Sequence, residues 1–586
     1  MAPPSAEPPP ERAPGPLSTF SERSRGAPAP AGPSPDVSFE LNGAQVTVAD
    51  GTSLLDALRE ELACRSVKDG CSPQGQCGCC TIWVDDAPRV ACVTPVRRVA
   101  GRRVTTLEGL STEQRTRWAG AFVQRGASQC GFCTPGIVMR LAALEGAAVR
   151  RGTTRHDIES SLRAHLCRCT GWQSIVEAAT DVLGPEGVFV DGGRRDSVLA
   201  AWRAQIEGPA FQSSGPDVVL GGGGFADDSA PSGALVQLGA DAPLARGFRA
   251  ARAGTGRVQG RNSTVSLTHP VDVPEGEWAL TLQTTWAEPA YVEPDASWSP
   301  PGGPAASPLA NGGAFGGKRR SPVPRRAQAL ADETGEVVRV LWRREDVVRH
   351  GPKRPPLAVV LRADGGGVVR VGTTPGSPDL GPLLDRLRSL APGLAVEEVE
   401  VVGPPVSPDV RGAGWAEVLA ALAALATLRT GPRARGQGRA DVTVAGGGRA
   451  AVELRLHEGE RGEAVVDLWA GEVLCPVTLR SYTLGAVHQA LGLVWSEGIA
   501  VDETGEPVDL TIRSFGILGA RDMPSVTLRL HEDDGWPVNG SDAVYAATLA
   551  AAWVAEGLPP RWPTRRAAVR APLRDVAASR GREEQP

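Results

Sequence analysis

Eight of the eleven cysteines in this 586-residue chain fall into two compact sets within its first third. The first is Cys71, Cys77, Cys80 and Cys92; the second is Cys130, Cys133, Cys167 and Cys169. Each set supplies four thiolates, the number that holds one [2Fe–2S] cluster through sulfur alone. Structural zinc also takes four cysteines, but zinc ribbons pair two Cys-x2-Cys knuckles, whereas here one spacing is Cys-x5-Cys and another Cys-x-Cys. Two one-electron centres in series suit a chain that moves electrons, in pairs. Of the remaining cysteines, Cys64 and Cys475 read as core thiols. Cys79 stands between two ligands in a tight turn and is expected to point away as a bystander.

The length allows three or four domains. A formal charge of −5 gives no ground for nucleic acid or an anionic membrane as partner. No apolar run reaches the ~18 residues of a membrane-spanning helix. Residues 1–36, rich in Pro, Ala, Ser and Arg, lack the apolar core of a secretory signal and carry no twin-arginine pair, so they read as a disordered leader on a cytoplasmic protein. Thiol-rich spacings in such a reducing compartment point to metal rather than disulfides.

Residues 37–110 carry a ferredoxin pattern. Val37–Leu41 and Gln45–Val48 flank Asn42-Gly43, a strand–turn–strand signal. Thr52-Ser53 caps a helix with Leu54, Leu55, Leu58 and Leu62 at helical spacing. A loop from Asp69 to Cys80 and a strand from Thr81 to Asp85 complete a β-grasp layout. Residues 111–185 turn helical, with segments expected at 111–124, 135–147, 155–164 and 172–182. Each half of the second cysteine set precedes a predicted helix, whose N-terminal N–H groups favour a negatively charged cluster. A linker over 186–224, a mixed α/β region over 225–568 and a charged tail over 569–586 follow. The fold class expected is α+β and multidomain.

The motifs Gly70-Cys71-Ser72-Pro73-Gln74-Gly75-Gln76-Cys77-Gly78-Cys79-Cys80-Thr81, Gln129-Cys130-Gly131-Phe132-Cys133-Thr134-Pro135-Gly136 and Leu166-Cys167-Arg168-Cys169-Thr170-Gly171-Trp172, in this order, resemble the iron–sulfur subunit of the xanthine dehydrogenase/aldehyde oxidase family of molybdenum hydroxylases. The resemblance implies an outer cluster on Cys71, Cys77, Cys80 and Cys92, and an inner one on Cys130, Cys133, Cys167 and Cys169. It places Gln129 against a molybdopterin. Two departures stand out: His165 replaces the family's usual Asn, and the first loop is one residue longer than its commonest form.

The second half resembles a shortened molybdopterin-binding subunit of that family, about half the usual length. Asn311-Gly312-Gly313-Ala314-Phe315-Gly316-Gly317-Lys318 resembles the loop that approaches molybdenum. Arg411-Gly412-Ala413-Gly414 resembles an Arg-Gly-x-Gly motif, and Gly485–Gly492 another large-subunit segment. Gly313, Phe315, Gly316 and Arg411 are thus implied as pterin contacts. Pro289 stands where the family places a His four residues before Glu293-Pro294. Gly436-Gln437-Gly438 keeps three letters of a pyrophosphate-binding Gly-x-Gly-Gln-Gly, with Ala434 in place of its first Gly. Ser541 stands where the catalytic base, a Glu, is expected, and loss of a general base costs about 10²–10⁴ in rate. The catalytic residues therefore stay unassigned, with adjacent Asp542 the substitute to weigh.

Three functional readings remain open from sequence. The first is an oxidoreductase relaying electrons through two [2Fe–2S] clusters, with a separate FAD-binding subunit and a full-length molybdenum subunit as partners. The second is a self-contained minimal hydroxylase holding its own molybdopterin. The third is a non-catalytic docking protein with a decayed molybdenum domain.

Overall fold

The computed structural model describes residues 36–146, 152–184, 195–208, 210–255, 266–431, 434–457, 461–532 and 534–565. The expected leader, apart from Asp36, the expected tail and part of the expected linker lie outside these residues.

Strands Asp36–Leu41 and Ala44–Ala49 pair antiparallel across Asn42-Gly43, both at positive φ. Such a two-residue turn matches the twist of its strands. Arg103–Thr105 lies parallel to the first strand and antiparallel to Thr81–Val84, which pairs in turn with Ala87–Val90, closing a five-stranded sheet. Ser53 Oγ accepts from Asp56 N (3.1 Å) and starts the helical segment that covers the sheet, burying Leu54, Leu55 and Leu58.

The helical region has four helices, Thr112–Arg125, Thr134–Ala142, Arg155–Ser161 and Gln173–Leu183. Ser111 and Gln114 form a capping box on the first, and Thr154 with Asp157 does the same on the third. The second helix ends earlier than the expected 135–147. Glu145 is drawn out of helical register to accept from Trp118 Nε1 (2.6 Å) and Gln114 Nε2 (2.9 Å).

The segment read as a linker contains a helix, Ser197–Glu207, capped by Asp196 Oδ1 accepting from Val198 N (2.8 Å). It is ordered by its buried face of Ala200, Ala201, Arg203, Ala204 and Glu207. Beyond it lie three four-stranded sheets. One comprises Gln437–Thr443, Arg449–Arg455, Glu463–Trp469 and Ser525–His531, whose side chains alternate between exposed and buried. Helices Trp415–Arg429 and Ser541–Ala555 pack on that sheet, and Pro476–Trp495 packs on Ser541–Ala555. Pro476–Trp495 and Ser541–Ala555 are apolar nearly all round, as helices enclosed on every side must be. A single apolar core runs from Val37 to Trp562 and spans both halves of the chain. No helix among the described residues is long and apolar enough to cross a membrane.

Candidate functional site

The thiols of the second set meet in pairs. Cys130 Sγ lies 3.6 Å from Cys169 Sγ, and Cys133 meets Cys167. That separation suits two sulfurs on one tetrahedral metal at about 2.3 Å each. In the first set Cys71 meets Cys77 and Cys92, and Cys92 also meets Cys80. Among the described residues no three such ligands close on one point as a single ion requires; paired thiols instead suit a binuclear cluster. Hydrogen bonds from Cys77 and Cys92 hold the Cys71 thiol well below the ordinary range, and one from Cys133 brings Cys167 down to about 6. Deprotonated sulfur is the ligand form.

Backbone N–H groups aim at these sulfurs. Gln74 N and Gln76 N donate to Cys71 Sγ (3.2 and 3.4 Å), and Cys92 N donates to Cys80 Sγ (3.5 Å). Cys79 does not point away from its neighbours as expected. It is buried, its N donates to Cys77 Sγ (3.5 Å), and its thiol faces the Cys77 carbonyl (3.9 Å) with Cys167 of the other set within electrostatic reach. His165 hydrogen-bonds Thr81 Oγ1 (3.1 Å) between the two loops, and burial pulls its pKa down to about 3, so it is neutral at pH 7.

The second half closes on the second set at backbone distance. A Cβ on Gly485 would stand 1.9 Å from the Cys169 carbonyl, and one on Gly313 would stand 2.6 Å from Cys130 Cβ. Asn311 Nδ2 donates to the Cys130 carbonyl (3.0 Å). Between the cysteines, Arg168 forms a buried bidentate pair with Glu497 (2.5 and 2.6 Å). The two glycine-bearing segments thus exclude water from the inner set, and the donor set with its glycine cradle fits an iron–sulfur cluster.

A cavity of about 500 Å³ opens beside this contact. Of the residues expected to meet a pterin, Gln129, Gly313, Phe315, Gly316 and Arg411 all line it. Gln129 Nε2 donates to the Cys169 carbonyl (2.8 Å) and to Ser481 Oγ (3.0 Å), joining the cavity wall to the inner set. Gly316 is required at positive φ, where a Cβ would collide with the Asp409 carbonyl. Lys318 turns inward, pairing with Glu293 (2.9 Å) and donating to the Pro294 carbonyl (3.2 Å), so it anchors the loop rather than lining the cavity.

The carboxylates of the cavity wall are all engaged. Asp542 pairs with Arg411 (3.2 Å), which also donates to Ser541 Oγ (2.7 Å). Asp409 pairs with Arg320 (2.5 Å). Glu207, which sequence reasoning missed, accepts from Gly540 N (3.1 Å) and Ser541 N (2.7 Å) and pairs with Arg203. It therefore caps the Ser541–Ala555 helix from another segment. Its only sequence signal was the Asp196 cap and the alanine spacing of a helix in the supposed linker. Gly436-Gln437-Gly438 lies outside the cavity, at the start of a strand, with Gly438 pressed against the Ala551 carbonyl. The wall keeps the size and position of a cofactor pocket but offers no free base and no pyrophosphate turn.

Residues 34–109 match the family of 2Fe-2S iron-sulfur cluster binding domains, and residues 106–180 match that of [2Fe-2S] binding domains. The nicotine 6-hydroxylase small subunit of Paenarthrobacter nicotinovorans is 38% identical over 154 residues, 26% of this chain and 92% of that protein. The xanthine dehydrogenase iron-sulfur-binding subunit of Escherichia coli is 37% identical over 138 residues, 23% of this chain and 86% of the relative. Among solved structures, the aldehyde oxidoreductase of Desulfovibrio desulfuricans aligns with 91% of this chain and 99% of its own, with a TM-score of 0.65 at 16% identity. At that identity the likeness is one of fold alone.

Proposed function

The chain belongs to the xanthine dehydrogenase/aldehyde oxidase family of molybdenum hydroxylases, and from that premise we propose that it is an oxidoreductase component serving as an electron relay. Cys71, Cys77, Cys80 and Cys92 hold the outer cluster; Cys130, Cys133, Cys167 and Cys169 hold the inner one. The clusters supply one-electron storage and transfer. The chain's own part is to set thiolates in place, aim N–H groups at sulfur and seal the inner set from water with Gly313 and Gly485. The observation that carries this reading is the pairing of Cys130 with Cys169 and of Cys133 with Cys167, directly behind the cavity.

Gln129, Gly313, Phe315, Gly316 and Arg411 are the residues that would hold a molybdopterin in the cavity. A full hydroxylation cycle on this chain alone is disfavoured, because Glu207, Asp409 and Asp542 are each tied to an arginine. A carboxylate so held accepts a proton poorly at neutral pH. Electrons would therefore pass between a separate full-length molybdenum subunit and an FAD-binding subunit. Eleven free thiols support a reducing, cytoplasmic setting.

Metal analysis of the purified chain tests the reading. About four irons per chain without molybdenum is the expected result for a relay of two [2Fe–2S] clusters. Stoichiometric molybdenum would favour the self-contained hydroxylase, which the 500 Å³ cavity beside the inner set also supports. Iron near zero would overturn both.

A further inference from the structure

The turn Leu510–Arg513 belongs to the second half of the chain, yet it is bound to the first thiol loop. Gln74 Nε2 donates to the Leu510 carbonyl (2.9 Å), and Ile512 N donates to Gln74 Oε1 (3.3 Å). Arg513 N donates to Gln76 Oε1 (3.2 Å) and Arg513 Nε to the Gln76 carbonyl (2.9 Å). The same guanidinium reaches on to the Arg163 carbonyl (2.7 Å), in the loop that leads to Cys167.

The two glutamines gripped in this way are the two whose backbone N–H groups donate to Cys71 Sγ, and Gln76 is the residue before Cys77. The Arg513 charge accordingly falls within reach of the Cys77 and Cys71 sulfurs. Among the described residues no carboxylate closes on its guanidinium, so that charge is not cancelled locally. The arrangement differs from Arg168 at the inner set, which is neutralised by Glu497.

An iron–sulfur cluster that accepts an electron gains one negative charge. N–H groups directed at sulfur and a fixed cation nearby stabilise that form and raise the reduction potential. We propose that Arg513 is a positioning residue for the outer cluster: it fixes the Gln74–Gln76 loop against Cys71 and supplies an uncompensated positive charge that raises the outer cluster's potential. The fused second half would thereby bias an electron toward the outer cluster, from which it can leave. One electron moves, and no bond is made or broken and no proton transferred. The proposal rests on the ligand assignment above, that Cys71, Cys77, Cys80 and Cys92 hold a cluster.

The test is a potentiometric reduction of the full-length chain with dithionite, following the two reduced-state EPR signals separately. Arg513→Gln should lower the reduced-to-oxidised ratio of the outer cluster several-fold at fixed potential, a tenfold change being 59 mV for one electron, with the inner signal unmoved. Arg513→Lys keeps a charge but loses the planar grip, and should recover at least half of the shift. An outer-cluster change below twofold in Arg513→Gln, or an equal shift of both signals, overturns the proposal. Should Arg513→Gln lose its outer cluster, the lysine variant carries the test: a potential between wild type and a twofold reduction supports the charge, and one identical to wild type opposes any role for the grip. Failure of the relay reading would look different, as an iron count below four or a missing signal in the wild-type chain itself.

Discussion

Residues 36–184 place eight thiols through loops whose ligands lie two to forty positions apart, whereas residues 195–565 place their cavity wall through contacts between distant segments. Glu207 reaches Gly540 across 333 positions, and Gln212 accepts from Tyr482 Oη (2.5 Å) across 270. The first region therefore carries its chemistry in short motifs, and its relatives match it at 37–38% identity. The second retains the fold of its structural neighbours at 16%. Within the second region, Gly313 and Gly485 touch the thiol loops and resemble the family, while the expected base position holds Ser541 locked under Arg411. The contact surface that serves the clusters has the family's form; the catalytic wall does not.

The largest effect expected on either side is loss of a cluster. Cys133→Ser should remove one of two distinguishable reduced-state EPR signals and leave the other, because its thiol partner Cys167 belongs to the inner set alone. Cys79→Ala should keep both signals. Persistence of both in Cys133→Ser would break the division into two sets.

Next is the buried pair that organises the second half. Arg203 and Glu207 have fully buried side chains, and Glu207 also caps the Ser541–Ala555 helix. Glu207→Gln leaves Arg203 charged and uncompensated, which typically costs about 3–5 kcal/mol. A denaturation midpoint that moves by the equivalent of less than 1 kcal/mol would show that the helix end is held some other way. Both EPR signals should survive at native conditions, since neither residue contacts a thiol set.

Gly485→Ala probes the junction of the two regions. Its Cβ would stand 1.9 Å from the Cys169 carbonyl, so the helix or the inner loop must shift, at about 1–3 kcal/mol. The inner signal should change in shape or potential and the outer should not. Gly446→Ala, with no heavy atom within 4 Å of the added carbon, is the matched control and should be silent.

These contrasts also explain what could be read from sequence. The hairpin at Asn42-Gly43, the Ser53 and Ser111 caps and the eight clustered thiols are all local features, fixed by neighbouring residues, and each was legible. The five residues expected to meet a pterin were recognisable as motifs, and they do line one cavity. Glu207 was not legible, because a glutamate in a Gly-rich stretch acquires its role only when a helix end hundreds of residues away is brought to it. Arg513 was hidden for the same reason: its partners are Gln76 and Arg163, and nothing in its own neighbourhood points to them. Cys79 was misread because a thiol's direction within a tight loop depends on which backbone groups surround it, here the N–H and carbonyl beside Cys77.

The smallest expected effect concerns Glu293, which ties the Gly312–Lys318 loop to the Glu293-Pro294 segment. Burial raises its pKa to about 7, and the ammonium of Lys318 at 2.9 Å works in the opposite direction. An unfolded glutamate titrates near 4.5. Between pH 4.5 and 7 the folded chain thus holds more proton than the unfolded one, so this group's contribution is full below pH 4.5 and declines as pH rises through 7. Glu293→Gln keeps the hydrogen-bonding shape of the protonated acid and cannot ionise. Its stability relative to wild type should therefore improve with rising pH across that window, by about 1 kcal/mol, less than the roughly 1.4 kcal/mol per pH unit of an unopposed shift because Lys318 offsets part of the burial. Denaturant midpoints of the two proteins at pH 5, 6 and 7 measure it. A constant difference would mean that Glu293 is ionised throughout and that Lys318, not burial, governs the anchor of the loop beside the inner set.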